Sequence, residues 1–104
     1  MSATAMGMAL GVKGISPRAK LVLIAVANSA DEATFFGYPS RRHLADAADC
    51  SIDTVDRCLR ELADEGYLKK TERERDDGRG QTSNLYRVFP QFDPSRKNAE
   101  GGKI

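Results

Sequence analysis

The sequence predicts a small α+β protein that is mainly helical, in which three helices form the body and a two-stranded β-hairpin follows them. Segments 17–30, 41–48 and 52–65 each follow a serine and carry apolar residues at helical spacing. After residue 66 the composition changes to extended candidates joined by the turn-forming sequence DDGRGQT. The 104 residues of the chain suit one domain with a single modest core.

The ends of the chain are predicted to lie outside this domain. Residues 1–15 contain small residues, three glycines and no firm period, so we expect a flexible or loosely docked N-terminal arm. Residues 90–104 hold two prolines, two glycines and little apolar surface to bury, which is typical of a flexible tail or linker. The domain is therefore expected to span residues 16–89.

The first predicted helix begins with Ser16 as N-cap and Pro17 at the first helical position, where the missing proline N–H is not needed. Its apolar stretch LVLIAVA, residues 21–27, is expected to be mostly buried. This stretch is too short for a bilayer, which needs about 20 apolar residues. The aromatic cluster that follows predicts a short third strand near Phe36 and Tyr38.

The second and third predicted helices have the spacing of a helix-turn-helix unit. Ser40 caps a helix over residues 41–48, and Ser51 caps one that closes at Gly66 as a left-handed residue. The turn position that glycine usually fills holds Asp49, which must then adopt a left-handed conformation. Small or apolar residues occupy the positions that such a unit buries, namely Leu44, Ala45, Ala48, Cys50, Val55 and Cys58.

Together with the hairpin, these residues resemble a known family. The stretch YPSRRHLADAADCSIDTVDRCLRELADEGYL, followed by TSNLYRV, is similar to the winged helix-turn-helix domains of bacterial, plasmid and phage replication initiators and small transcription regulators. The resemblance covers roughly residues 16–89. It implies sequence-specific binding of double-stranded DNA, with the third helix in the major groove and the wing on the backbone, in replication initiation or transcription regulation.

The third helix supplies most of the candidate DNA contacts. Asp53 precedes Arg57 by four residues and Asp56 precedes Arg60 by four, an order that favours side-chain pairing on a helix face. The acids are thus expected to orient the arginines and to temper non-specific affinity. The alternative is that both pairs are solvated salt bridges on a face that touches nothing. The candidate contacts of this helix are Ser51, Asp53, Thr54, Asp56, Arg57 and Arg60, of which Ser51 and Thr54 are better explained as capping residues.

Two further groups of candidate contacts lie outside the third helix. Ser40, Arg41 and Arg42 begin the second helix, where free N–H groups and the helix dipole suit a phosphate. Alternation in the hairpin gives one basic face that suits a phosphate backbone. The alternative for this face is a sheet edge that its charges protect from aggregation. The candidate wing contacts are Lys69, Arg73, Arg75 and Arg79.

Charge and composition leave the choice of partner open. The net charge of +1 conceals basic ends and an acidic middle, because residues 21–68 carry four bases and nine acids. A winged helix that binds a replication or regulatory protein is therefore the alternative to DNA binding. A homodimer through the N-terminal arm or first helix also stays open, whereas RNA binding ranks lower because exposed aromatic residues are few.

The sequence offers little support for catalysis or cofactors. We find no nucleophile with a neighbouring base and no phosphate-binding glycine loop, so no enzyme activity is expected. His43, Cys50 and Cys58 do not have the number or spacing of zinc ligands, and we expect neither a metal nor another cofactor. Two cysteines and the lack of a signal peptide or membrane span predict a cytoplasmic protein.

Overall fold

The computed structural model of the protein describes residues 1–71 and 85–92. Within them the chain forms the helices α1 (Ala3–Leu10), α2 (Pro17–Ser29), α3 (Arg41–Ala48) and α4 (Ile52–Asp64). The strands are β1 (Phe36–Gly37), β2 (Leu68–Thr71) and β3 (Leu85–Val88). The predicted α+β class, mainly helical and compatible with a winged helix-turn-helix, is confirmed. None of the helices described has the length and apolarity to cross a bilayer.

Serine side chains begin the helices of this fold. Each accepts a hydrogen bond from the backbone N–H three residues later, which satisfies one of the donors left free at a helix N-terminus. The predicted caps of α2, α3 and α4 are confirmed, and α1 has an additional one. The four N-cap residues are Ser2, Ser16, Ser40 and Ser51.

Residues 3–10 differ from the flexible arm that the sequence predicts, because they form α1 and pack against α2. Ala5 and Ala9 lie four residues apart on the buried face, and both are fully buried. Ser2 is also fully buried, and its hydroxyl donates to Glu32 at 2.9 Å. Small side chains at the centre of its buried face allow α1 to approach α2 closely, and the partly buried Met6 and Met8 also pack against the core.

Helix α2 forms the centre of the core, in contact with each of the other helices and with β1 and β3. Its side chains Val22, Leu23 and Val26 are fully buried. Leu21 remains 45% exposed, although the sequence predicts that its apolar stretch is mostly buried. The reason is geometric, since a helix with one solvent-facing side exposes some residues of any continuous apolar run.

The strands form one antiparallel sheet in the order β1-β3-β2, so the short strand predicted near Phe36 and Tyr38 is confirmed. Phe36 pairs with Arg87, and Leu68 pairs with Val88. The core continues beyond residue 89, where the sequence predicts the tail. The ring of Phe92 stacks on that of buried Phe35 at 5.3 Å between centroids.

Candidate nucleic-acid interface

The turn between α3 and α4 has the left-handed residue that the sequence predicts. Asp49 adopts φ 55° and ψ 55°. The Cys50 N–H donates to Ala45 O at 3.0 Å, and the Asp49 N–H donates to Asp46 O at 3.3 Å. These two bonds are the pattern by which helices end at a left-handed residue. An aspartate here takes the place that glycine has at the end of α4, where Gly66 has φ 88°.

Helices α3 and α4 share the small core that the sequence predicts. Leu44, Ala48 and Val55 are fully buried, and Cys58 is 4% exposed. Cys50 differs from the prediction, since it is only half-buried beside the turn. Cys50 still packs against the core, so the crossing of α3 and α4 is held mainly by the more deeply buried positions and partly by Cys50.

Helix α4 has one buried face and one exposed face. Val55, Cys58, Leu59 and Leu62 form the buried face. The exposed face carries residues spaced by four, three and four positions, which follow one line along a helix. We call this line the α4 stripe, and it consists of Asp53, Arg57, Arg60 and Asp64.

The predicted pairings of Asp53 with Arg57 and of Asp56 with Arg60 are wrong. Asp56 instead bonds Arg41 Nη1 through Oδ2 at 2.8 Å, the one ion pair found among residues 1–71 and 85–92. Arg57 Nη2 faces Thr54 Oγ1 at 3.5 Å. Spacing along one helix cannot account for the observed pair, because Arg41 reaches Asp56 from the first turn of α3.

Ser51 and Thr54 have the capping geometry that explains them without a ligand. Ser51 Oγ accepts the Thr54 N–H at 3.1 Å and lies 3.0 Å from Thr54 Oγ1. Ser51 is exposed and Thr54 is half-buried. Both residues therefore stabilise the start of α4. Their hydroxyl groups lie at the N-terminal end of α4, the same end as Asp53.

The start of α3 lies beside the same surface. Ser40 Oγ accepts the His43 N–H at 3.0 Å, and Arg42 and His43 are exposed. Arg41 is tied to Asp56, and its side chain retains 50% exposure. At the start of α3, next to α4, the Arg41 guanidinium is therefore paired with Asp56, whereas Arg42 is exposed.

The wing is described only at its base. Lys69 is exposed and lies opposite Arg87 in the ladder, whereas Lys70 lies opposite buried Tyr86. In β2 itself Leu68 is buried, whereas Lys69, Lys70 and Thr71 are all exposed, so burial does not separate two faces among these three residues. The other candidate wing contacts, Arg73, Arg75 and Arg79, fall within residues 72–84, outside the described residues.

A family model described as a helix-turn-helix domain matches residues 13–68, more than half of the chain. The chain belongs to this helix-turn-helix domain family. No curated protein matches the sequence. The matched residues contain α2, β1, α3 and α4, and they end at the first residue of β2. A helix-turn-helix domain suggests DNA binding in general, and α4 occupies the position of its second helix.

Sequence reasoning missed three residues that tie the parts of the fold together, of which Arg18 and Glu61 lie within the matched helix-turn-helix domain and Arg87 lies beyond it in β3. Arg18 Nη1 donates to Ala48 O and Asp49 O, and Glu61 accepts hydrogen bonds from Ser16. Arg87 lies over the Phe36 ring and donates to a backbone carbonyl of residue 92. Except for the Arg87–Phe92 bond, which spans five residues, these contacts join residues at least 30 positions apart in the chain. Local spacing therefore gave no signal for them.

The two cysteines of the helix-turn-helix domain are free thiols. Burial raises the pKa of the Cys58 thiol, and nearby Cys50 and Glu61 raise it further. The positive charges of Arg18 and Arg57 lower this pKa and so act in the opposite direction. Within the part of the chain described, His, Cys, Asp and Glu side chains form no group of three that suits a metal ion. Cys58 contributes to the helix-turn-helix core as a small apolar residue.

Proposed function

We propose that this helix-turn-helix domain binds double-stranded DNA sequence-specifically, with α4 in the major groove. The observation that carries the proposal is the α4 stripe, in which Arg57 and Arg60 are exposed on the side opposite the buried face. A guanidinium group matches guanine O6 and N7 with two parallel hydrogen bonds. Asp53 supplies a carboxylate that accepts a hydrogen bond from cytosine N4.

The α3 start and the wing supply the proposed backbone contacts. Arg42 is exposed beside the N-terminal N–H groups of α3, an arrangement that favours a phosphate oxygen. Lys69 is exposed at the base of the wing, and we assign the same role to Arg73, Arg75 and Arg79 from the sequence. Backbone contacts of this kind set the register of α4 on the duplex.

The biological setting of the proposed activity is replication initiation or transcription regulation, as the resemblance to winged helix-turn-helix proteins implies. Such a protein acts where the DNA is, which is the cytoplasm for a bacterial or phage-encoded chain. It needs no catalytic group and no cofactor, since recognition uses hydrogen bonds and charge alone.

The test is selection of binding sites from random duplex DNA at two salt concentrations, followed by affinity measurements on the selected site. We expect one shared sequence motif and an affinity that falls steeply with salt, because each neutralised phosphate releases counterions. Replacing Arg57 with alanine should cost about 1–3 kcal/mol and relax the preference at one base pair.

Lys13→Ala is the matched control for Arg57→Ala, since it removes one exposed positive charge outside α3, α4 and the wing. It should alter affinity little and leave the base preference unchanged. The proposal fails if selection yields no shared motif, or if Arg57→Ala and Arg60→Ala bind the selected site as tightly as the wild type.

A protein-interaction module is the second candidate, favoured by exposed apolar side chains outside the α4 stripe. Leu10 and Tyr38 are each 61% exposed, and Leu21 is 45% exposed. Leu10 of α1 and Leu21 of α2 would also serve a homodimer. Charge reversal at Arg57 that leaves the biological function intact would favour this candidate over DNA binding.

A further inference from the structure

Arg18 lies in the first turn of α2 and joins that helix to the turn between α3 and α4. Its Nη1 donates to Ala48 O at 2.6 Å and to Asp49 O at 2.9 Å. The last carbonyl groups of a helix lack partners within the helix and carry its negative dipole. A guanidinium group donates charge-assisted hydrogen bonds to these carbonyl groups, and its positive charge interacts favourably with the negative end of the dipole.

The turn that Arg18 contacts has an unfavourable residue at its centre. Asp49 is left-handed, a conformation that aspartate tolerates less well than glycine. The equivalent end of α4 uses Gly66 and has the same pair of backbone bonds, from the Gly66 N–H to Ala63 O and from the Tyr67 N–H to Leu62 O. The α3 end thus requires support from outside the turn, and the Arg18 guanidinium provides it.

A second contact fixes α4 further along its length. Glu61 accepts hydrogen bonds from the Ser16 N–H and from Ser16 Oγ, both at 3.3 Å. The start of α2 therefore holds the helix-turn-helix at the turn before α4 and again in the second half of α4. Two separated attachment points restrain the direction of a helix, which one point cannot do.

We propose that Arg18 is a positioning residue for DNA recognition, which holds the α3–α4 turn so that α4 presents its stripe at a fixed angle. The inference rests on the proposed function. Because the Arg18 contacts are made to backbone carbonyls, its effect on DNA passes through Asp49 and the α4 axis. A misdirected α4 loses contacts with base edges before it loses contacts with phosphates.

Salt dependence separates this role from a direct phosphate contact by the exposed Arg18 side chain. A phosphate contact contributes about 0.9 to the slope of log affinity against log salt concentration. A positioning residue contributes nothing to that slope. We expect Arg18→Ala to weaken binding to the selected site by about tenfold, the size of one lost charge-assisted hydrogen bond. The slope and the affinity for random duplex DNA should not change.

A second substitution that restores DNA affinity to Arg18→Ala tests whether Arg18 acts through the turn between α3 and α4. Asp49→Gly removes the conformational penalty, so the double variant Arg18→Ala/Asp49→Gly should regain most of the lost affinity. A slope that falls by about 0.9 in Arg18→Ala would overturn the positioning role in favour of a phosphate contact. Failure of Asp49→Gly to restore any affinity would overturn it as well.

Amide hydrogen exchange without DNA tests the same role independently of the proposed function. Arg18→Ala should accelerate exchange at the Asp49 and Cys50 amides, while those of Gly66 and Tyr67 serve as internal controls and should not change. Equal acceleration at both helix ends would overturn the role, because it would report general destabilisation. If the wild type binds no DNA, the proposed function fails and the positioning role in recognition fails with it. If the wild type binds and Arg18→Ala matches it in both assays, only the positioning role fails.

Discussion

Replacing Asp56 with asparagine tests how the proposed binding of DNA by α4 accommodates the acidic residues of that helix. The change removes the negative charge that pairs with Arg41 at 2.8 Å while keeping the shape of the side chain. It frees the Arg41 guanidinium at the start of α3. We expect the Asp56→Asn variant to bind DNA more tightly than the wild type, especially DNA of random sequence.

The exposure of the pair sets the size of each effect. The Arg41 and Asp56 side chains are 50% and 38% exposed, so solvent screens their attraction. Such pairs contribute about 0.2–1 kcal/mol, and the loss of stability should not exceed this. If the freed guanidinium neutralises one phosphate, the salt slope steepens by about 0.9, and the gain in affinity is about threefold larger at 50 mM than at 200 mM salt.

Fluorescence anisotropy with the selected site and with a random duplex, over a series of salt concentrations, measures these effects. Asp64→Asn is the control, because it makes the same charge change in the last turn of α4 without breaking the ion pair. Asp64→Asn should raise the affinity for DNA less than Asp56→Asn does, and it should leave the slope of log affinity against log salt concentration unchanged. Weaker binding by Asp56→Asn would refute the reasoning, since Asp56 would then hold Arg41 in a productive orientation.

Four further predictions concern stability and thiol chemistry. Leu62→Ala removes a fully buried side chain and should cost about 2–5 kcal/mol in urea unfolding, and a loss below about 1 kcal/mol would contradict its place in the core. Gly37→Ala should lower Tm, because the added Cβ would lie 2.8 Å from a backbone oxygen at the end of α2. Gly7→Ala is the control and should not lower Tm, because a Cβ at Gly7 has no neighbour within 4 Å. Iodoacetamide should alkylate half-buried Cys50 before Cys58, as mass spectrometry can show, because burial raises the pKa of Cys58 and shields its sulfur. The folded state keeps the Cys58 proton to higher pH than the unfolded state does. The free energy of unfolding should therefore fall as the pH rises from the unfolded-state pKa of this thiol through its folded-state pKa. The Cys58→Ala variant should show a weaker dependence of stability on pH in this range.

Local chemistry explains why much of the fold could be predicted from the sequence. Ser16, Ser40 and Ser51 act within three residues of their own positions, so their role as caps is visible in the sequence. The same holds for Asp49 and Gly66, whose left-handed conformations follow from where the apolar periods end. These features require no knowledge of how the helices pack.

The errors concern features that packing decides. The small residues Ala5 and Ala9 give a weak apolar signal, although their size is what lets α1 lie close to α2. Arg41 and Asp56 are fifteen residues apart, so the rule for residues four apart on one helix could not identify the pair. Spacing rules therefore located the candidate surface, while the partners of its charges depended on the crossing of α3 and α4.

The order of charges along α4 bears on specificity. Asp53 and Asp64 lie towards the two ends of the α4 stripe, with Arg57 and Arg60 between them. If α4 enters the groove as proposed, the acids at either end reduce the general attraction to phosphates, while the central arginines remain able to reach base edges. A duplex that lacks the matching bases then gains little from the helix. Under the proposed function, the acid in α4 would lower the affinity for DNA of random sequence more than the affinity for the correct site, which would increase discrimination between the two.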